Sequence, residues 1–177
     1  MAISKIQAES MNLADTYAFS GTVSGTSVFG STLLHVQDQK SSGSNGGSDS
    51  AGYNVRTLNT VVTNEISGSS LSSNAITLPT GTYYIQASTC AYASGKTRLR
   101  LRNVTDSSNA VIGLNGEVSG TIAVTPRYFV TGRFVIGSSK AFKIEQYVGT
   151  ATNSSLGHAT GDDLIEIYTD VQIWKVA

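Results

Sequence analysis

The 177-residue chain has one cysteine, two prolines, two histidines and few charges, and each scarcity removes a class of protein. A single cysteine, Cys90, allows no internal disulfide, and its place in an apolar stretch reads as a buried, reduced thiol. Charged residues are 14 % of the chain, with 12 basic against 12 acidic side chains and no net charge. Nucleic-acid backbones are bound by a surplus of Lys and Arg that this balance does not supply. The same balance gives no global attraction to an anionic membrane and leaves little repulsion between copies of the chain. No apolar run approaches the roughly 18 residues of a spanning helix, so no membrane insertion is expected. The opening MAISKIQAES lacks the apolar stretch of a secretory signal, so the expectation is synthesis and folding in a cytoplasm.

Catalytic signatures are missing as well. The chain contains no G-x-S-x-G, P-loop, H-E-x-x-H or Cys-x-x-Cys pattern. His35 lies in a strand-like apolar run and His158 in the loop TNSSLGHATGDD, which reads as a packed or surface histidine and a solvated one, not a zinc pair. Asp162, Asp163 and Glu166 form the densest acidic cluster, but without the alternating pattern of a calcium loop they read as a solvated turn. The expectation is a protein without enzymatic activity, cofactor or metal.

What is present is Ser, Thr, Gly and Asn around a 40 % hydrophobic complement, a composition that favours turns and strands over helices. Residues 1–30 stand apart. Ile3, Ile6, Met11, Leu13, Tyr17 and Phe19 are too many apolar groups for a free tail, yet too interrupted by small residues to make a core. This segment reads as an attachment arm, with Tyr17 and Phe19 as candidate partner contacts. From residue 31 the pattern becomes short alternating segments, giving a domain over 31–177 with about eight to ten strands. The run from Lys40 to Gly52, rich in Ser and Gly, reads as a mobile surface loop that tolerates insertion. In TRLRLRNV, Leu99, Leu101 and Val104 nearly share one side, while Arg98, Arg100 and Arg102 share the other. That arginine ladder reads as an exposed face, or as cross-strand or inter-subunit pairing with Glu, Asp or Tyr. In LIEIYTDVQIWKV, Ile165, Ile167, Thr169, Val171 and Ile173 are expected on one side and Glu166, Tyr168, Asp170 and Trp174 on the other. The aromatic residues are divided between a core and a subunit interface, where tyrosine is enriched. The pattern indicates an all-β sandwich or jelly roll.

The stretch NAITLPTGTYYIQASTCAY resembles the Pro-x-Gly-x-Tyr-Tyr corner and long strand of C1q/TNF-like jelly rolls. With YNVRTLN, LRLRNVTD, RYFVTGRFVI and VQIWK, it also resembles the globular C-terminal domains of bacteriophage tail fibres and related virion proteins. The opening SKIQAESMNLADTYAFSGTVSG is similar to segments that precede such domains. The resemblance implies a ten-stranded jelly roll that trimerises about a threefold axis and has no enzymatic activity. It implies a virion protein made in the host bacterial cytoplasm: a short fibre, tail tip or capsid decoration. Its partners would be its own copies, other virion proteins through residues 1–30, and a host-surface glycan or receptor. Arg98, Arg100 and Arg102 are the candidate contacts within the domain. The alternative is a carbohydrate- or receptor-binding, lectin-like module; a glycan depolymerase has only scattered carboxylates in its favour.

Overall fold

Wherever the apolar–polar alternation is regular, the chain is extended. The computed structural model describes residues 32–118 and 124–176, so the 1–30 arm, with Tyr17 and Phe19, lies outside the described residues. Among the described residues eleven strands form, one more than the upper end of the expected eight to ten: β1 (Thr32–Lys40), β2 (Gly52–Val55), β3 (Thr60–Asn64), β4 (Ser70–Ser72), β5 (Ala75–Leu78), β6 (Gly81–Cys90), β7 (Gly95–Asn103), β8 (Ser108–Val118), β9 (Arg127–Ile136), β10 (Lys140–Val148) and β11 (Glu166–Lys175). Among the described residues there is no helix. A first sheet has the order β3-β1-β11-β6-β9, and a second has β4-β5-β10-β7-β8, with β2 pairing β10 on the side of β5. The described strand pairings are antiparallel, and the sheets enclose one core. This is an all-β jelly-roll sandwich, as the alternation and the resemblance imply.

Alternation decides which side chains enter the core. Leu99 and Leu101 of β7 are fully buried while Arg98, Arg100 and Arg102 face outward. Asn103 takes the next inward position, and Val104, past the strand end, is exposed instead of sharing the leucine side. At the corner before β6, Tyr83 points inward and its hydroxyl donates to the Pro79 carbonyl at 2.7 Å. Its ring stacks on Phe134 at 5.5 Å, and Phe134 meets Phe142 at 5.3 Å. Each buried ring of this kind stabilises by roughly 1.5–3 kcal/mol. Gly113 closes the sandwich at one side, since a Cβ there would collide with the Phe129 carbonyl of β9.

Two further expectations fail, each for a physical reason. In β11 the register against β1 shifts at Asp38/Gln39, where Thr169 and Ile167 are paired in succession and Tyr168 is left over. One extra residue reverses the alternation. Thr169, Val171 and Ile173 are therefore buried as expected, but so are Tyr168 and Glu166, while Ile165 is 58 % exposed. The Ser/Gly run is also not a free loop. Gly46 N–H donates to the Gly157 carbonyl at 2.9 Å, Leu156 N–H to Gly47 at 3.1 Å, and Tyr168 hydroxyl to Ser44 at 2.7 Å. A Cβ on Gly46 would lie 2.6 Å from the Leu156 carbonyl oxygen, so glycine here permits close packing of two backbones. The run is docked on residues 154–157, and an insertion at Gly46 would break that contact.

Arg56, just beyond β2, is fully buried between the sheets. Its guanidinium donates to Thr169 Oγ1 (3.0 Å), Gln146 Oε1 (3.2 Å), and the carbonyls of Leu156 (3.1 Å) and Tyr168 (3.3 Å). Gln146 also accepts from Thr89 and donates to Thr97, so the network joins β6 and β11 of one sheet to β7 and β10 of the other. Burial pulls the Arg56 pKa down to about 10, against the pull of Asp38, Cys90 and Asp49, and leaves it protonated at neutral pH. Burial raises Asp38 and Asp49 in turn, opposed by Lys40 and then Arg56 at Asp38 and by Arg56 at Asp49. Removing this cation strands the acceptors and the nearby carboxylates in a poorly solvated interior. Arg56→Ala should therefore lower unfolding free energy by at least about 1–3 kcal/mol, the cost of leaving a buried acceptor unpaired, read by urea denaturation at neutral pH. A loss within the scatter of ordinary surface substitutions would contradict the assignment.

Candidate functional site

The outward faces of the two sheets differ in chemistry. On the first sheet, cross-strand registers set up three rows: Leu33–Trp174–Tyr84–Arg133, His35–Gln172–Gln86–Thr131, and Gln37–Asp170–Ser88–Phe129. Tyr84 (43 % exposed), Phe129 (51 %) and Val135 (61 %) present large apolar groups on this face, and Tyr84 lies 6.2 Å from the Trp174 ring. Between them runs a polar strip in which Asp170 Oδ1 accepts from His35 Nε2 and Gln37 Nε2, both at 2.6 Å. His35 is thus a half-buried, hydrogen-bonded surface residue. An apolar margin around satisfied polar groups suits contact with a second protein surface.

The second sheet presents Tyr53–Tyr147–Arg98–Asn115, then Val55–Glu145–Arg100–Ile112, then Lys143–Arg102–Asn109. The three ladder arginines have separate fates. Arg100 is held by Glu145, with Nη2 2.6 Å from Oε2, and lies 3.6 Å over the Tyr53 ring. Arg102 makes a long 3.4 Å contact to Asn109, and Arg98 stands between Tyr147 and Asn115. The ladder is therefore cross-strand paired within the chain at Arg100, and open at Arg98.

The loop end of the sandwich gathers the remaining candidate groups. Glu166 accepts from the backbone N–H of Gly161 (2.8 Å), Thr160 (3.0 Å) and Gly43 (3.1 Å), which hold its carboxyl below the usual glutamate range. Asp162 and Asp163 remain on the exposed turn, so the acidic trio of the sequence is not one cluster. The His158 ring lies tilted against Tyr92, with centroids 5.1 Å apart, and with Cys90 and Arg127 lines a cavity of about 650 Å³. Burial pushes the Cys90 thiol up, opposite to what a nucleophilic cysteine requires. Among the described residues no three His, Cys, Asp or Glu side chains are grouped to hold a metal ion.

Sequence reasoning missed Arg56, Tyr53 and the Asp170-centred strip. A signal for Arg56 existed: in YNVR it falls on the side of the strand opposite Tyr53 and Val55, and so on the core side. Tyr53 had no signal of its own, because only the pairing of β2 with β10 puts it beside Tyr147.

No protein-family model matches the sequence, and no curated protein matches it. Solved structures do match in fold. Murine APRIL in its pH 5.0 crystal form aligns with a TM-score of 0.55 at 9 % identity, over 82 % of this chain and 98 % of that one. The globular domain of the zebrafish complement 1qA protein aligns with a TM-score of 0.52 at 14 % identity, over 83 % and 98 %. At such identities the likeness extends to the C1q/TNF-like jelly-roll fold and no further.

The Glu166 cradle has a pH consequence. Its carboxyl titrates lower folded than unfolded, so around and below the ordinary value of 4.5 the unfolded chain binds more protons. The stabilisation is complete above that range and is lost as pH falls through it. Glu166→Gln should lower the melting temperature at neutral pH, and the gap to wild type should close as pH falls below about 4.5. Melting curves across pH check this; a gap that stays constant into acid would contradict it.

Proposed function

We propose that the protein is a non-enzymatic structural component of a phage-like particle, a homotrimer assembled through the outward face of the first sheet. The observation carrying this reading is the apolar margin of Tyr84, Trp174, Phe129 and Val135 around the Asp170 strip. A monomer would leave those groups in water, whereas closed cyclic symmetry covers them on every copy. The likeness of TYYIQASTCAY and the neighbouring strands to virion jelly rolls supports the particle context. In that setting residues 1–30 attach the trimer to other virion proteins, with Tyr17 and Phe19 as contacts. The second reading, a carbohydrate- or receptor-binding module, draws support from the other sheet, where aromatic rings and open cationic groups share one face.

The expected outcome is a trimer in sedimentation at micromolar concentration, in the presence of chelator. Phe129→Asp should shift it to monomer while leaving the β-sheet circular dichroism unchanged. Deleting residues 1–30 should abolish incorporation into particles without unfolding the domain. A folded wild-type monomer would overturn the trimer, and undiminished incorporation of the truncated chain would overturn the attachment role.

A further inference from the structure

The outward face of the second sheet holds a groove of about 560 Å³ between β2, β10, β7 and the end of β8, walled by Tyr53, Tyr147, Lys96, Arg98, Asn115 and Glu117. Its apolar wall is the edge-to-face pair Tyr53–Tyr147, with ring centroids 5.4 Å apart. Tyr53 is held from behind by the Arg100 guanidinium, which Glu145 fixes in turn, so the wall is ordered before any ligand arrives. The opposite wall is polar. Asn115 offers both donor and acceptor, Glu117 accepts, and Lys96 donates. Arg98 lies between the walls, and its buried Nε has no hydrogen-bond acceptor among the described residues. In a protein with no net charge, this face carries, among the described residues, Lys96, Arg98, Arg100, Arg102 and Lys143 against Glu117 and Glu145.

We propose that this groove binds a saccharide bearing a carboxylate, a uronic- or sialic-acid residue of a surface glycan. The chemistry of each wall selects that class. A pyranose ring has an apolar C–H face to lay against a tyrosine and a rim of hydroxyls that need mixed donors and acceptors. A carboxylate on that ring matches the guanidinium of Arg98, which lines the groove and, unlike Arg100, has no carboxylate partner among the described residues. The cationic surplus favours an acidic sugar over a neutral one. The inference deepens the carbohydrate-binding reading. The groove lies within one subunit, so it stands or falls separately from the trimer.

The test is calorimetric titration of the intact protein with a short oligogalacturonate and with sialyllactose, against a maltooligosaccharide of matched length. Saturable binding of at least one acidic probe is expected, with the neutral probe weaker by about tenfold or more, since charge-assisted hydrogen bonds separate the two. Arg98→Gln and Tyr147→Ala should each weaken the acidic probe by about tenfold, while Tyr147→Phe, which keeps the ring, should bind nearly as wild type. Lys140→Gln, at the end of β10 away from the groove and outside the first-sheet face, should change nothing. Should Tyr147→Ala fail to fold by circular dichroism, the exposed-face variant Arg98→Gln decides. The proposal is overturned if neither acidic probe saturates, if the neutral probe binds equally well, or if Arg98→Gln has no effect. It is also overturned if a single-stranded oligonucleotide competes with equal affinity, which would make the face a general polyanion surface. Sedimentation of the same samples keeps any failure of assembly distinguishable from a failure of binding.

Discussion

The buried guanidinium of Arg56 is the constraint on which the arrangement of both faces depends. It is a cation in the interior with no carboxylate in direct contact among the described residues, held by two side-chain oxygens and two backbone carbonyls. Desolvation makes such a group costly unless every donor is satisfied, and the cost enforces geometry. The β10 glutamine, the β11 backbone and the Leu156 carbonyl must all lie where the planar fork can reach them. Because Arg56 follows β2 directly, its anchoring also fixes a strand of four residues that, among the described residues, pairs with β10 alone. Tyr53 stands beside Tyr147 as a result. The same guanidinium holds Leu156, on which the Ser/Gly run is docked, and this packed loop end is continuous with the Glu166 cradle.

The sandwich is thus divided along its length. One end is apolar and filled by Tyr83, Phe134 and Phe142. The other is polar, closed by Arg56, Gln146, Thr89, Thr97 and Thr169, with loops folded over it. Across its thickness it is divided again. The first sheet turns an apolar margin outward, and the second a cationic strip with a tyrosine wall. A protein with no net charge can still separate its charges by face, so a neutral composition is compatible with a local anion site.

Much of the fold was legible because alternation is a local property. TRLRLRN and GTYYIQAST announce their inward and outward residues without reference to any partner. Legibility failed where a distant neighbour decides. The bulge in β11 is a matter of register against β1, more than a hundred residues earlier in the chain. Ser and Gly over residues 41–51 carry no apolar signal, and the same composition serves a mobile loop or a backbone docked on another backbone. Gly46 is the second case. The Arg98, Arg100 and Arg102 ladder was visible as a pattern, but the difference between a paired Arg100 and an open Arg98 came from Glu145 and Tyr53 on neighbouring strands.

In the proposed assembly one sheet face is covered by neighbouring copies and the other is left open for a ligand. Hydroxyl-radical footprinting of the wild-type protein, compared between concentrated and highly diluted samples, reads both faces at once. Trp174, Tyr84 and Phe129 should become several-fold more reactive on dilution as copies separate, while Tyr53 and Tyr147 react equally at both concentrations. Unchanged reactivity on the first sheet, or protection of the two groove tyrosines in the concentrated sample, would contradict it.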